Sequence, residues 1–143
     1  MATAAAPANL NGVSKGANIG IWIAQVLGAA AFIMAGVMKL GTPIPELSAM
    51  MPWTGEYSET FVRMIGAIDL AGGLGLLLPS LTRIMPRLTV IAAACCVLLQ
   101  IIAIVFHASR GEFMVLPTNA VYIALSLIVL WGRGRKAPIA PRS

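Results

Sequence analysis

The sequence predicts an all-α fold, an integral membrane bundle of four transmembrane helices with both termini in the cytoplasm. Three observations carry that expectation. Of the 143 residues, 59% are hydrophobic and only 10% charged, with a mean hydropathy of +0.88, whereas soluble domains average roughly 25% charged. One soluble core of this size could not hide so much apolar surface. The apolar residues gather in four blocks, each near the roughly 17–25 residues that a helix needs to cross the hydrocarbon core. The basic residues between those blocks are unevenly shared. Strands are excluded because an open sheet edge stays unsatisfied in lipid.

Residues 1–18, rich in Ala, Asn and Gly with Lys15 the one charge, read as a flexible N-terminal tail. It is not expected to be a cleaved signal, because the apolar run beside it is too long for a signal core. The first helix is expected over 19–40, ended by Gly41, Pro43 and Pro45. An external loop follows over 41–60, with a short helix around Glu46 to Met51. So long a connection in a small protein is expected to be functional or packed as a lid. Its Trp53 is either an interface anchor or a ligand contact. The second helix is placed at 61–78, stopped by Pro79, and the third at 88–107 after Pro86. The fourth spans 115–131, with Pro117 in its first turn, where a missing donor costs little. The bundle domain therefore runs over 19–133, and 134–143 is a basic tail.

Orientation follows from charge. The tail side carries Lys15, Arg83, Arg87, Arg133, Arg135, Lys136 and Arg142 with no acid. The opposite side sets Lys39, Arg63 and Arg110 against Glu46, Glu56, Glu59 and Glu112. The positive-inside rule then places both termini in the cytoplasm. The net charge of +5 forms no single patch, so nucleic acid is not an expected partner. Cys95 and Cys96 are adjacent in an apolar run and read as packing residues, with a reactive pair as the alternative. A single histidine and no cysteine–histidine cluster leave no metal site. No phosphate-binding glycine loop is present either, because Gly72, Gly73 and Gly75 fall mid-helix.

Helical spacing groups the remaining signals. Ala24, Gly28, Ala31, Ala35 and Lys39 share one stripe, and Gly66, Asp69 and Gly73 another. Ala93, Cys96, Gln100, Ala103 and His107 form a third, continued by Arg110, and Asn119, Tyr122 and Ser126 a fourth. Most of these are small residues that allow close helix approach in lipid. At 1.5 Å per residue Asp69 lies about 12 Å below the outer surface, and Gln100 and Tyr122 about 10 Å. Lys39, Arg63, His107, Arg110, Glu112 and Asn119 stand above them at the outer rim. These nine residues are the candidate ligand-binding cavity. A bare carboxylate at that depth is costly, so Asp69 is expected to be protonated or paired with Lys39, Arg63 or His107. It is either a functional group or a structural clamp.

The run FVRMIGAIDLAGGLGLLLP, from Phe61 to Pro79, resembles the second-helix signature of the DoxX-like family. AGVMKLG at the end of the first helix, FHASRGE after the third and the closing WGR are similar to the same family. Many members carry Glu where this chain has Asp69, which shortens the reach by one methylene. The resemblance implies a four-helix bundle in a bacterial inner membrane. Its functional associations are a terminal quinol oxidase system, thiosulfate:quinone oxidoreduction, oxidative-stress complexes and, in a distant relative, receptor assembly. They lead to an accessory subunit of a quinone-linked membrane redox complex, holding a quinone- or lipid-like amphiphile near Asp69. Two alternatives stand beside it. One is a cofactor-free membrane isomerase or hydrolase using Asp69 and His107 as catalytic acid and base. The other is an assembly factor packing against a client. The expected partners are the lipid bilayer and either a redox complex or further copies of the chain.

Overall fold

The computed structural model describes residues 14–143. Among them there is no strand, and four helices are long and apolar enough to span a membrane. They are α1 (Lys15–Gly41), α3 (Glu59–Thr82), α4 (Arg87–Ser109) and the helical run Phe113–Lys136, which is α5 (Leu116–Trp131) entered through a 3-10 turn, Phe113–Val115, and continued by a π-helical turn, Gly132–Lys136. A short helix, α2 (Ile44–Met50), and a 3-10 turn, Pro52–Gly55, lie between α1 and α3. The expected all-α membrane bundle is the observed architecture.

α1 packs on α3 and α5, and α4 packs on the same two, so the helices form a closed ring in the order α1, α3, α4, α5. Glycine makes the α1–α3 seam tight. A Cβ on Gly36 would stand 2.6 Å from the Leu70 nitrogen and 2.7 Å from the Gly66 oxygen, and one on Gly73 would stand 2.8 Å from the Ala29 oxygen. The two backbones meet directly, as small residues permit in lipid. Gly72 and Gly75 make room instead for side chains of α4, the Cys96 sulfur and the Ala92 methyl group. Phe32, Leu76, Ala93, Cys96 and Val129 fill the centre, while the exposed side chains along the four helices are mostly apolar.

Two element boundaries differ most from expectation, and the basic tail is held rather than loose. α1 begins at Lys15, a turn before the apolar block, because the Ser14 hydroxyl accepts from the Ala17 N–H and caps it. The expected tail is helical from Lys15 onward; its residues 1–13 lie outside the described residues. α3 continues through Pro79 to Thr82 instead of stopping at Leu78. Its last turn is held by a buried hydroxyl pair, Ser80 to Thr89 at 2.9 Å, and by Thr82 donating to the Leu78 carbonyl at 2.8 Å. The basic tail is tied back: the Arg142 N–H donates to the Arg83 carbonyl at 3.0 Å, and Arg83 Nε to the Ala140 carbonyl at 2.9 Å.

One end of the ring, the lid end, is closed by residues 42–58. Leu47 and Trp53 are buried there with Val62, packed among Met38, Ile44, Met51, Phe61, Ile65 and Phe106. Trp53 meets Phe106 edge-on at 5.9 Å between ring centres. The indole is buried in the lid's own core and also lines the cavity beneath it. The loop is a folded cap.

Candidate functional site

Beneath the cap, in the lid-end half of the bundle, lies a cavity of about 590 Å³. Lys39 of α1, Asp69 of α3, Gln100 and His107 of α4, Glu112, and Asn119 and Tyr122 of α5 all line it. One or more residues of each of the four helical stripes thus meet around one space. Apolar side chains make up most of the rest, notably Met34, Met38, Leu99 and Phe106.

Lys39 Nζ lies 2.7 Å from Asp69 Oδ2, with the side chains 12% and 5% exposed. Of the expected alternatives for Asp69, the paired state is the one observed. Asn119 Nδ2 donates to Gln100 Oε1 at 2.7 Å, joining α5 to α4 across the cavity. Below it the Tyr122 hydroxyl donates to the Ala31 carbonyl at 3.3 Å, and the Tyr122 ring meets Phe32 edge-on. Those contacts form the floor.

A chain of charges runs from the cavity wall to the surface. His107 Nδ1 is 2.6 Å from Glu112 Oε2. Arg110 Nε donates to Glu112 Oε1 at 3.0 Å, and Arg110 reaches Glu56 of the lid at 2.8 Å. The His107 hydrogen bond holds the Glu112 carboxyl below the usual range, with Arg110 adding to it. The Arg110 hydrogen bond does the same for Glu56, and in return the guanidinium is held more firmly protonated. Arg110 also lies over the Phe106 and Tyr57 rings, 5.4 and 5.9 Å from their centres.

Two expected rim residues stand outside the cavity. Arg63 donates to the Lys39 and Thr42 carbonyls at 2.7 and 2.8 Å, and to Glu59 at 2.9 Å. The last carbonyls of α1 need donors, and the guanidinium one turn into α3 supplies them. Arg110 points along the rim to Glu56 and Glu112 rather than inward.

The opposite end holds a cluster that sequence reasoning passed over. Arg133, counted above as a loop charge, is 4% exposed. Its Nε donates to Gln25 Oε1 at 2.8 Å, and another nitrogen reaches Asn18 Oδ1 at 2.9 Å. Its guanidinium lies 4.5 Å from the centre of the Trp22 ring. Gln25, fully buried, donates to the Leu76 carbonyl at 2.6 Å. A glutamine deep in the first apolar block was the available signal, because a buried amide needs partners.

Four spanning helices around an internal cavity lined by a buried ion pair and two amides define a multi-pass α-helical membrane protein. The model of the DoxX-like family matches residues 23–129, and the chain belongs to that family. No curated protein and no solved structure matches it.

Proposed function

We propose that this chain is an accessory protein of a bacterial inner membrane that holds a quinone- or lipid-like amphiphile and supports a quinone-linked redox complex. The observation that carries the reading is the cavity, apolar along most of its wall with its polar groups gathered around one space. Lys39 spends one of its three donors on Asp69, and Gln100 keeps its amide hydrogens beside the Asn119 bond. Carbonyl or hydroxyl oxygens of a polar head would find donors there, and a hydrocarbon body would find methionine and leucine. The seven-to-none basic bias of the tail side supports cytoplasmic termini, which puts the lid on the outer face. The redox association rests on the family resemblance.

Native mass spectrometry in mild detergent tests this reading. Wild type is expected to retain a quinone- or lipid-sized molecule. Gln100→Leu with Asn119→Leu removes both partners of one hydrogen bond, which folding tolerates, and should lose the molecule. A wild-type protein that carries neither a small molecule nor a partner chain would sink the proposal.

A cofactor-free isomerase or hydrolase is favoured by one feature, the Glu112–His107 pair. Glu112 holds Nδ1, and Nε2 has no protein partner among the described residues. That arrangement suits a base facing the cavity. Asp69, bonded to Lys39, would act there as an anion rather than as an acid. Turnover of an added substrate that is abolished in Glu112→Gln and His107→Gln would select this reading.

A further inference from the structure

The cavity has two ways out, and they are built differently. Toward the lid end it is roofed. Trp53 is buried on Phe106, and the Glu56–Arg110–Glu112–His107 chain ties the lid to the α4–α5 turn. Its charged lining groups are withdrawn, with His107 14% and Glu112 23% exposed. Sideways the wall is thin and apolar. The large apolar lining side chains that reach the surface are Met34 at 63%, Ile102 at 57%, Met50 at 55%, Met114 at 92% and Val115 at 39%.

The α1–α5 seam explains where the gap lies. Toward the bundle centre Ala31, Phe32 and Tyr122 close it, and Gly28 packs on Leu125. Nearer the lid the corresponding residues, Met34 and Met38 on α1 and Thr118 and Asn119 on α5, line the cavity. Five of the chain's eight methionines border it: Met34, Met38, Met50, Met51 and Met114. Methionine is unbranched and adaptable, so such a mouth can part and re-pack around a flexible chain. A charged solute gains nothing on that path, because it would have to cross hydrocarbon first.

We propose that the site is loaded from the bilayer, through a methionine mouth between α1 and α5 beneath the lid. This rests on the amphiphile reading above and adds the route and the orientation. The occupant is a membrane-dissolved molecule with a compact uncharged polar head and a hydrocarbon chain. The head passes Met34 and Met114 and meets Lys39, Gln100 and Asn119. The chain stays in the mouth, in contact with surrounding lipid. The lid stays latched throughout.

Thiol labelling in vesicles tests the route. Full-length protein carrying Cys95→Ala, Cys96→Ala and Ala35→Cys places one thiol on the cavity wall beside the mouth. Two maleimides are compared, an uncharged pyrenyl reagent that dissolves in lipid and a disulfonated stilbene reagent confined to water. Both need the same thiolate, so the local acidity of that thiol cancels in their ratio. The pyrenyl reagent should label at least about tenfold faster, since the sulfonates cannot follow it through hydrocarbon. Met34→Trp and Met114→Trp should slow it severalfold, and Met34→Ala should speed it, which covers a tryptophan variant that fails to fold. Glu56→Gln should raise labelling by the sulfonated reagent by loosening the roof. Comparable rates for the two reagents, no labelling from lipid, or indifference to every change at Met34 and Met114 overturns the route. If the labelling pattern holds but no amphiphile is ever retained, the route stands and the amphiphile reading fails.

Discussion

Lys39 is gripped twice by α3: its ammonium meets Asp69 Oδ2 at 2.7 Å, and its carbonyl accepts from Arg63 at 2.7 Å. One residue at the end of α1 is thereby fixed at backbone and side chain by two residues of the same partner helix, Asp69 and Arg63. The ammonium's direction into the cavity follows from this fixation. Arg63, although outside the cavity, helps to aim a group that lines it.

Breaking the ion pair from either side should cost far more than removing it whole. Asp69→Asn leaves Lys39 without a counterion, and a loss of about 3 kcal/mol is expected for an uncompensated buried charge. Lys39→Met with Asp69→Leu should recover a large part of that loss. Thermal or denaturant unfolding in detergent of the two single variants and the double variant measures it. An Asp69→Asn protein as stable as wild type would mean that the pair contributes nothing to folding.

The glycine seam gives a second expectation. Gly36→Ala puts a methyl group 2.6 Å from the Leu70 nitrogen, so α1 and α3 must separate. A loss of at least about 2 kcal/mol is expected from overpacking against backbone that cannot yield. Gly20→Ala meets nothing within 4 Å and should be neutral or slightly stabilising. Similar unfolding midpoints for the two variants would show that the seam is not a tight contact.

The lid latch should respond to acid. Glu56 and Glu112 are held below their ordinary carboxylate range by Arg110 and His107. A depressed folded value contributes stability above the unfolded value, and that contribution is lost as pH falls through the folded one. The latch is therefore expected to hold from neutral pH down to about 4, the usual glutamate value, and to loosen below it. Hydrogen-exchange protection over residues 44–56, taken relative to the intrinsic rate at each pH, reports this: it should fall below about pH 4 in wild type and be lower already at neutral pH in Glu56→Gln. Protection that does not change with pH and is the same in that variant would show that the ion pairs do not secure the lid.

The four spans were legible because hydropathy over some twenty residues outweighs every local signal in a bilayer. Pro79 misled because a proline near a helix end costs only one hydrogen bond, and the Ser80–Thr89 pair and Thr82 secure the turn around it. Periodicity and depth brought Asp69, Gln100 and Tyr122 to one level, since both follow from helix geometry alone. Neither indicates what a long side chain will reach for. Arg63 has the right face and height for the cavity, yet the bare carbonyls ending α1 claim it. Gln25 and Arg133 were missed because their meeting crosses 108 positions, and only ring closure brings them together. The methionines of the mouth were lost among so many other apolar residues.

The Arg133 clasp bears on how the protein is made. Asn18 and Gln25 are synthesised with the first span, but the guanidinium that joins them to the last span follows only after all four. The α1–α3 contacts, Gln25 to the Leu76 carbonyl and the glycine seam, are complete once α3 is made, and Tyr122 and Leu125 bring α5 to α1 before Arg133 exists. Arg133 is the last of these contacts to become available. A ribosome-held chain stopped at Trp131 could close its α1–α5 seam and still lack the clasp that fastens it.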